Sequence, residues 1–186
     1  PPVPERPNLP VDLPAPPVLG TVRVNGANRD IVAVPAKTGV LFVFDRVTSH
    51  TARGSVWNSG DPTSGYSPAF SADGRYLAFI GPGGALVCDR DADDDGIFDE
   101  PGGTLTTRDS VDAAGRPAND VSADPMLSSD GRLVMFSSAA SNLVPDDDDF
   151  QADWFVRDRR PCGDGTVNSG SGGVTGVLRI NGHTGL

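Results

Sequence analysis

A chain of 186 residues is long enough to bury the core of one ordinary domain. Its 15 Lys and Arg against 25 Asp and Glu leave a formal charge of −10, which repels phosphate backbones and anionic headgroups and suits divalent cations better. Nucleic-acid partners are not expected, and neither is membrane insertion, because no run approaches the roughly 18 apolar residues of a spanning helix.

With 23 Gly and 17 Pro, many beside Asp, Asn or Ser, the chain is punctuated for short strands and tight turns. Residues 1–11, rich in proline, read as an extended arm. Residues 12–48 hold β-prone runs, 49–65 read as a linker, and 66–160 hold repeats. Residues 161–186 read as a Gly/Ser-rich linker followed, in the apolar run from Val174 to Ile180, by the start of a further strand or domain. The start at Pro1 fits a processed protein or an excerpt. Cys88 and Cys162 permit one disulfide in an oxidising compartment or two separate thiols.

Internal repetition is the most informative feature. The segments Pro68-Ala69-Phe70-Ser71-Ala72-Asp73-Gly74-Arg75-Tyr76-Leu77-Ala78-Phe79 and Pro125-Met126-Leu127-Ser128-Ser129-Asp130-Gly131-Arg132-Leu133-Val134-Met135-Phe136 match position by position at an offset of 57. Each predicts an antiparallel hairpin turning at Asp-Gly, where glycine supplies the positive φ, and Phe79 and Phe136 should be buried alike. A second element recurs three times, as Phe42-Val43-Phe44-Asp45-Arg46, Leu86-Val87-Cys88-Asp89-Arg90 and Phe155-Val156-Arg157-Asp158-Arg159. It predicts a strand that leaves its sheet at a charged pair. Hairpin, strand and charged exit, separated by loops of variable length, are how propeller blades read.

The Ser-Pro-x-Phe-Ser-x-Asp-Gly-Arg-Tyr-Leu-Ala-Phe pattern at 67–79 and its partner within 125–159 resemble the repeat of TolB-like β-propellers, over about residues 66–160. That resemblance implies a fold and an exported bacterial setting, periplasmic or extracellular, more than an activity. Residues 12–46, with Asp12-Leu13-Pro14, Val22-Arg23-Val24-Asn25-Gly26, Lys37-Thr38-Gly39 and Phe42-Val43-Phe44-Asp45-Arg46, resemble a blade of the pyrroloquinoline-quinone-dependent dehydrogenases. In that family the residue matching Lys37 contacts the quinone. The catalytic aspartate of the family would fall at Pro10, and a proline cannot take a proton, so the resemblance does not extend to a working quinone site.

The loop from Asp89 to Glu100 contains Asp-x-Asp-x-Asp-Gly, a spacing that can converge carboxylates on one hard cation. Its candidate calcium ligands are Asp91, Asp93, Asp95, the carbonyl of Ile97, and Asp99; the twelfth position is Gly102 instead of a bidentate Glu, so weak binding is expected. A solvated acidic hairpin loop is the alternative. The run Asp146 to Asp149 lacks alternate spacing and reads as solvated loop. His50 and His183 have no acidic or cysteine partner nearby in sequence, and no Gly-x-Ser-x-Gly elbow is present.

The sequence thus predicts an all-β, incomplete β-propeller of about three blades, short of the roughly four to eight that close a ring. The function expected is a non-catalytic binding or scaffold module of an exported bacterial protein, with calcium as its expected ion and a protein or small molecule as ligand. Self-association through unpaired blades is a further expectation. The alternative is a fragment or remnant of a quinone-dependent dehydrogenase.

Overall fold

A computed structural model describes residues 17–24, 27–35, 40–46, 51–56, 63–149, 151–159 and 177–180. The arm at 1–11, Pro10, Lys37, His50, Cys162 and His183 lie outside them. The described residues form twelve strands and no helix. Blade 1 is the antiparallel meander of β1 (Val18–Val24), β2 (Ala27–Pro35), β3 (Leu41–Asp45) and β4 (Thr51–Arg53). Blade 2 is β5 (Tyr66–Phe70), β6 (Tyr76–Gly81), β7 (Gly84–Asp89) and β8 (Leu105–Arg108). Blade 3 is β9 (Ser122–Leu127), β10 (Leu133–Ser138), β11 (Asp153–Asp158) and β12 (Val177–Arg179). These are the three open propeller blades that the sequence predicts. First strands of adjacent blades approach one another, β1 with β5 and β5 with β9, which puts them on the inner side of the arc.

The stretch expected as a linker at 49–65 supplies a strand, and so does the apolar run expected to begin a further one. Residues 51–53 form β4, and 177–179, carried by the predicted apolar run, form β12 as the fourth strand of blade 3. Both strands are only three residues long, too short for alternation to show in sequence. What fixes blade edges is backbone pairing: the amides of Gly54, Asp109 and Ile180 donate to the carbonyls of Leu41, Ala85 and Trp154 at 2.9 Å in all three blades. In blades 1 and 2 a buried serine adds a second tie, Ser55 Oγ accepting from Leu41 N at 2.8 Å and Ser110 Oγ from Ala85 N at 3.0 Å.

The repeated hairpins share the bonds that form their turns. In blade 2, Gly74 N donates to Ser71 O at 3.0 Å, Arg75 N to Asp73 Oδ1 at 3.1 Å, and Tyr76 N to Ser71 Oγ at 2.9 Å. In blade 3, Gly131 N donates to Ser128 O at 2.9 Å, Arg132 N to Asp130 Oδ1 at 3.1 Å, and Leu133 N to Ser128 Oγ at 2.8 Å. Gly74 and Gly131 have φ of 72° and 68°, the left-handed region that the turn requires. The charged exit closes back on this turn. Arg75 pairs with Asp89 at 2.9 Å and Arg132 with Asp158 at 2.6 Å, while Arg90 Nη1 and Arg159 Nη1 donate to the carbonyls of Gly74 and Gly131 at 2.7 and 3.1 Å. Blade 1, without the Asp-Gly-Arg sequence, keeps the bridge through Arg29 and Asp45 at 2.9 Å.

Two apolar layers join the three blades. Ile31, Ala33, Leu41 and Val43 of blade 1 pack with Leu77, Phe79, Leu86 and Cys88 of blade 2. Ala78, Ile80, Ala85 and Val87, on the opposite face of blade 2, pack with Val134, Phe136 and Phe155 of blade 3. Alternate residues of β6 and β7 therefore serve different layers, and both strands are buried throughout their centres, whereas β2 and β10 alternate. Phe79, Phe136 and Phe155 are fully buried, with the last two rings stacked at 5.9 Å, and each is worth about 1.5–3 kcal/mol of apolar burial.

Polar contacts hold blades 2 and 3 in register. Ala72 N donates to Ser129 O at 2.9 Å, linking one Asp-Gly turn to the next. Gly131 lies on the face of Tyr76, which also carries Arg159 at 4.8 Å from its ring centre. A β-carbon on Gly131 would overlap the ring. Gly131→Ala is therefore expected to lower stability in urea unfolding by about 2–4 kcal/mol, combining left-handed strain with overpacking. In a Tyr76→Ala background, where the clash is gone, the same change should cost only about 1 kcal/mol.

Candidate functional site

The acidic loop leaves blade 2 at the end of β7 and returns at β8. Arg90 closes it. Its guanidinium lies between the rings of Phe70 and Phe98, 5.7 and 5.1 Å from their centres, and forks onto both carboxylate oxygens of Asp99 at 2.9 and 2.5 Å. The backbone repeats the closure, Asp99 N donating to Arg90 O at 2.8 Å and Ala92 N to Gly103 O at 2.7 Å. Asp99, predicted as a ligand, is thus half-buried, with its side chain covered and engaged by Arg90.

Inside this frame Asp91 is buried and accepts from the amides of Asp95 at 3.0 Å and Gly96 at 3.2 Å, which curls the chain around its carboxylate. Asp94 turns outward at a φ of 62° and reaches Arg75 at 2.5 Å. Asp95 Oδ1 accepts from Ile97 N at 2.8 Å, and the Ile97 side chain is exposed. Asp91, Asp93 and Asp95 each bring a carboxylate oxygen within 4.8 Å of the others. Glu100, which spacing alone did not single out, joins them: the Asp95 charge, burial and then Asp93 hold its carboxyl above the usual range. A β-carbon on Gly103 would lie 2.7 Å from Glu100 Cγ and 3.3 Å from Asp93 Oδ1, so the returning strand passes close behind the acidic group.

A second acidic group occupies the run read as solvated loop. Asp147 and Asp153 are buried, and with Asp149 they surround Arg179 of β12, which pairs with Asp149 at 2.8 Å, with Asp147 at 3.4 Å and with Asp153. The run is solvated only in part, because two of its carboxylates, Asp147 and Asp149, pair with Arg179, a cation far along the chain. That partner is invisible to any local motif.

Two further features lie between blades 2 and 3. Asp109, buried at the end of β8, faces Arg157 at 3.3 Å and Arg159 at 3.4 Å; burial pushes its carboxyl up against the opposing pull of both guanidiniums. On the inner side, an open cleft of about 340 Å³ is lined by Tyr66, Ile80, Asn119, Asp120 and Val121. Tyr66 and Val121 are 47% and 74% exposed, so the cleft offers a ring and an aliphatic wall beside a carboxylate. Beside it the first strands are bulged at matched steps, with Ser67 and Asp124 at φ of 52° and 48°, each preceding a proline. Left-handed non-glycine residues cost about 1–3 kcal/mol each and gather where a surface is held for use. The only sequence trace of them is the paired Ser67-Pro68 and Asp124-Pro125.

A family model for the PQQ glucose/ethanol/alcohol dehydrogenase β-propeller domain matches residues 8–51. Blade 1 is similar to that propeller domain. The match ends at the start of β4, before blades 2 and 3. No curated protein and no solved structure gives a significant match. The likeness of residues 12–46 to a quinoprotein blade therefore stands, while Lys37 and Pro10 lie outside the described residues.

Cys88 is a free thiol, buried between blades 1 and 2, and burial pushes it up to about 11. It is expected to resist a chromogenic disulfide reagent at pH 8 in a Cys162→Ser variant, and to react fully once guanidinium unfolds the chain. Rapid reaction of the folded chain would place Cys88 outside the core.

Proposed function

We propose that this chain is a non-catalytic binding and scaffold module of an exported bacterial protein, an arc of TolB-like propeller blades stabilised by calcium. The observation that carries this reading is the use made of the recurring charges. Arg75 with Asp89, Arg132 with Asp158, and Arg90 and Arg159 on the turn carbonyls each close the hairpin of their own blade, so the residues that define the repeat serve construction. Asp91, Asp93 and Asp95 bring carboxylate oxygens within 4.8 Å of one another, and the Glu100 side chain lies near that of Asp93, both close to Gly103. Calcium accepts six to eight oxygens in loose geometry, which suits such a loop better than the strict octahedron of Mg²⁺. The Ile97 carbonyl completes the proposed set, with Glu100 in the place expected of Asp99. The ligand surface we assign to the cleft beside Tyr66 and Asp120, open enough for a peptide side chain or a small polar molecule.

The alternative reading, a fragment or remnant of a pyrroloquinoline-quinone-dependent dehydrogenase, is favoured by the family match over residues 8–51. Lys37 is the residue it offers to the quinone. The donor set does not fit the group's chemistry, because Pro10 stands where an acid would take the substrate's proton.

Calorimetric titration separates the readings. Ca²⁺ is expected to bind at about 10⁻⁴–10⁻³ M, more tightly than Mg²⁺, a range suited to the periplasm or the extracellular space. The Asp93→Ala and Asp95→Ala variants should lose the heat, and millimolar Ca²⁺ should raise the melting temperature of the parent only. Equal heats in all three proteins would return the loop to a solvated hairpin. Dye-linked alcohol or sugar oxidation with added quinone and Ca²⁺, above a cofactor-only control, would favour the alternative.

A further inference from the structure

The two ends of the arc are unlike, and each repeats a surface that is covered elsewhere in the same chain. The ladders place Ile31, Tyr76 and Leu133 opposite Asp45, Asp89 and Asp158, which aligns the blades residue by residue. In that alignment Leu77 and Phe79 of blade 2 face blade 1, and Val134 and Phe136 of blade 3 face blade 2. Their counterparts in blade 1 are Val32 and Val34, joined by Phe42 and Phe44, whose rings lie 6.3 Å apart. On the opposite face, Ala33 and Val43 of blade 1 meet blade 2, and Ala78 and Val87 of blade 2 meet blade 3. Their counterparts in blade 3 are Met135 and Val156. Among the described residues, neither outward set belongs to a buried cluster.

Blade 1 thus carries the surface that a following blade presents to its predecessor, and blade 3 carries the surface that a preceding blade presents to its successor. The chain already makes this contact twice, which specifies the chemistry of the occupant: a blade bearing the complementary face. A second copy bears both. We propose that two copies associate head to tail, blade 3 of each on blade 1 of the other, to close a ring of six blades. Six lies within the roughly four to eight that closed propellers use. The contact is heterologous, yet two such contacts close on themselves and reinforce one another. The charge of −10 on each copy opposes association, and salt screens that repulsion. This inference rests on the blade alignment and not on the calcium reading, so failure of either leaves the other standing.

Sedimentation equilibrium of the intact chain at low and high ionic strength tests it. A dimer that tightens with salt is expected. Val34→Glu on blade 1 and Val156→Glu on blade 3 should each weaken the dimer at least tenfold, with far-UV circular dichroism confirming the fold. An equimolar mixture of the two variants should recover part of the dimer, because the untouched blade 3 of one meets the untouched blade 1 of the other. A monomer at every concentration and salt would overturn the proposal, whichever other partner covers these faces. So would a ladder of species beyond the dimer, or a mixture no more associated than its components. Where a variant does not fold, the mass of the parent chain decides.

Discussion

A four-stranded sheet with apolar side chains on both faces cannot stand alone in water, and this constraint organises the whole chain. Blade 2 meets it completely. Leu77 and Phe79 are buried against blade 1 while their neighbours Ala78 and Ile80 are buried against blade 3. Blades 1 and 3 meet it on one face, and their strands show the alternating burial of half-covered sheets. The near-continuous apolar runs of β6 and β7, and the alternation of β2 and β10, are the same rule applied with two neighbours or one.

The second level of organisation is electrostatic. In blades 2 and 3 a bridged pair of charges ties the turn before the second strand to the exit of the third, and in blade 1 Arg29, inside the second strand, reaches the same exit carboxylate. That is why blade 1, similar in sequence to a quinoprotein propeller, and blades 2 and 3, built on Asp-Gly-Arg hairpins, share one construction. The Arg29–Asp45 bridge uses the aspartate aligned with Asp89, but its arginine stands one residue earlier than Arg75, whose aligned position in blade 1 is Asp30. Only partly exposed, these bridges fix geometry more than they add stability.

Much of this was legible beforehand because it is local. The turns at Asp73-Gly74 and Asp130-Gly131 and the Asp-Arg exits announce themselves within a few residues. What escaped was set by distant partners or by elements too short to show a period. β4 has only three residues, the Ser55 and Ser110 ties are single polar residues, and Asp147 turns inward for Arg179. In the acidic loop the alternate spacing of Asp91, Asp93 and Asp95 translates directly into proximity. Asp99 follows the same spacing but meets Arg90 instead, a competition that no spacing rule contains.

The two-sided burial of blade 2 is tested most directly by placing an aspartate at adjacent positions of aligned strands and measuring urea unfolding. Leu77→Asp and Ala78→Asp face opposite layers, so both should cost several kcal/mol, the price of an unpaired buried charge. In blade 3, the aligned Val134→Asp should cost as much, whereas Met135→Asp, on the outward face, should cost less than about 1 kcal/mol in the monomer. An Ala78→Asp variant as mild as Met135→Asp would contradict the packing of blade 3 on blade 2, and with it the propeller arrangement of the chain.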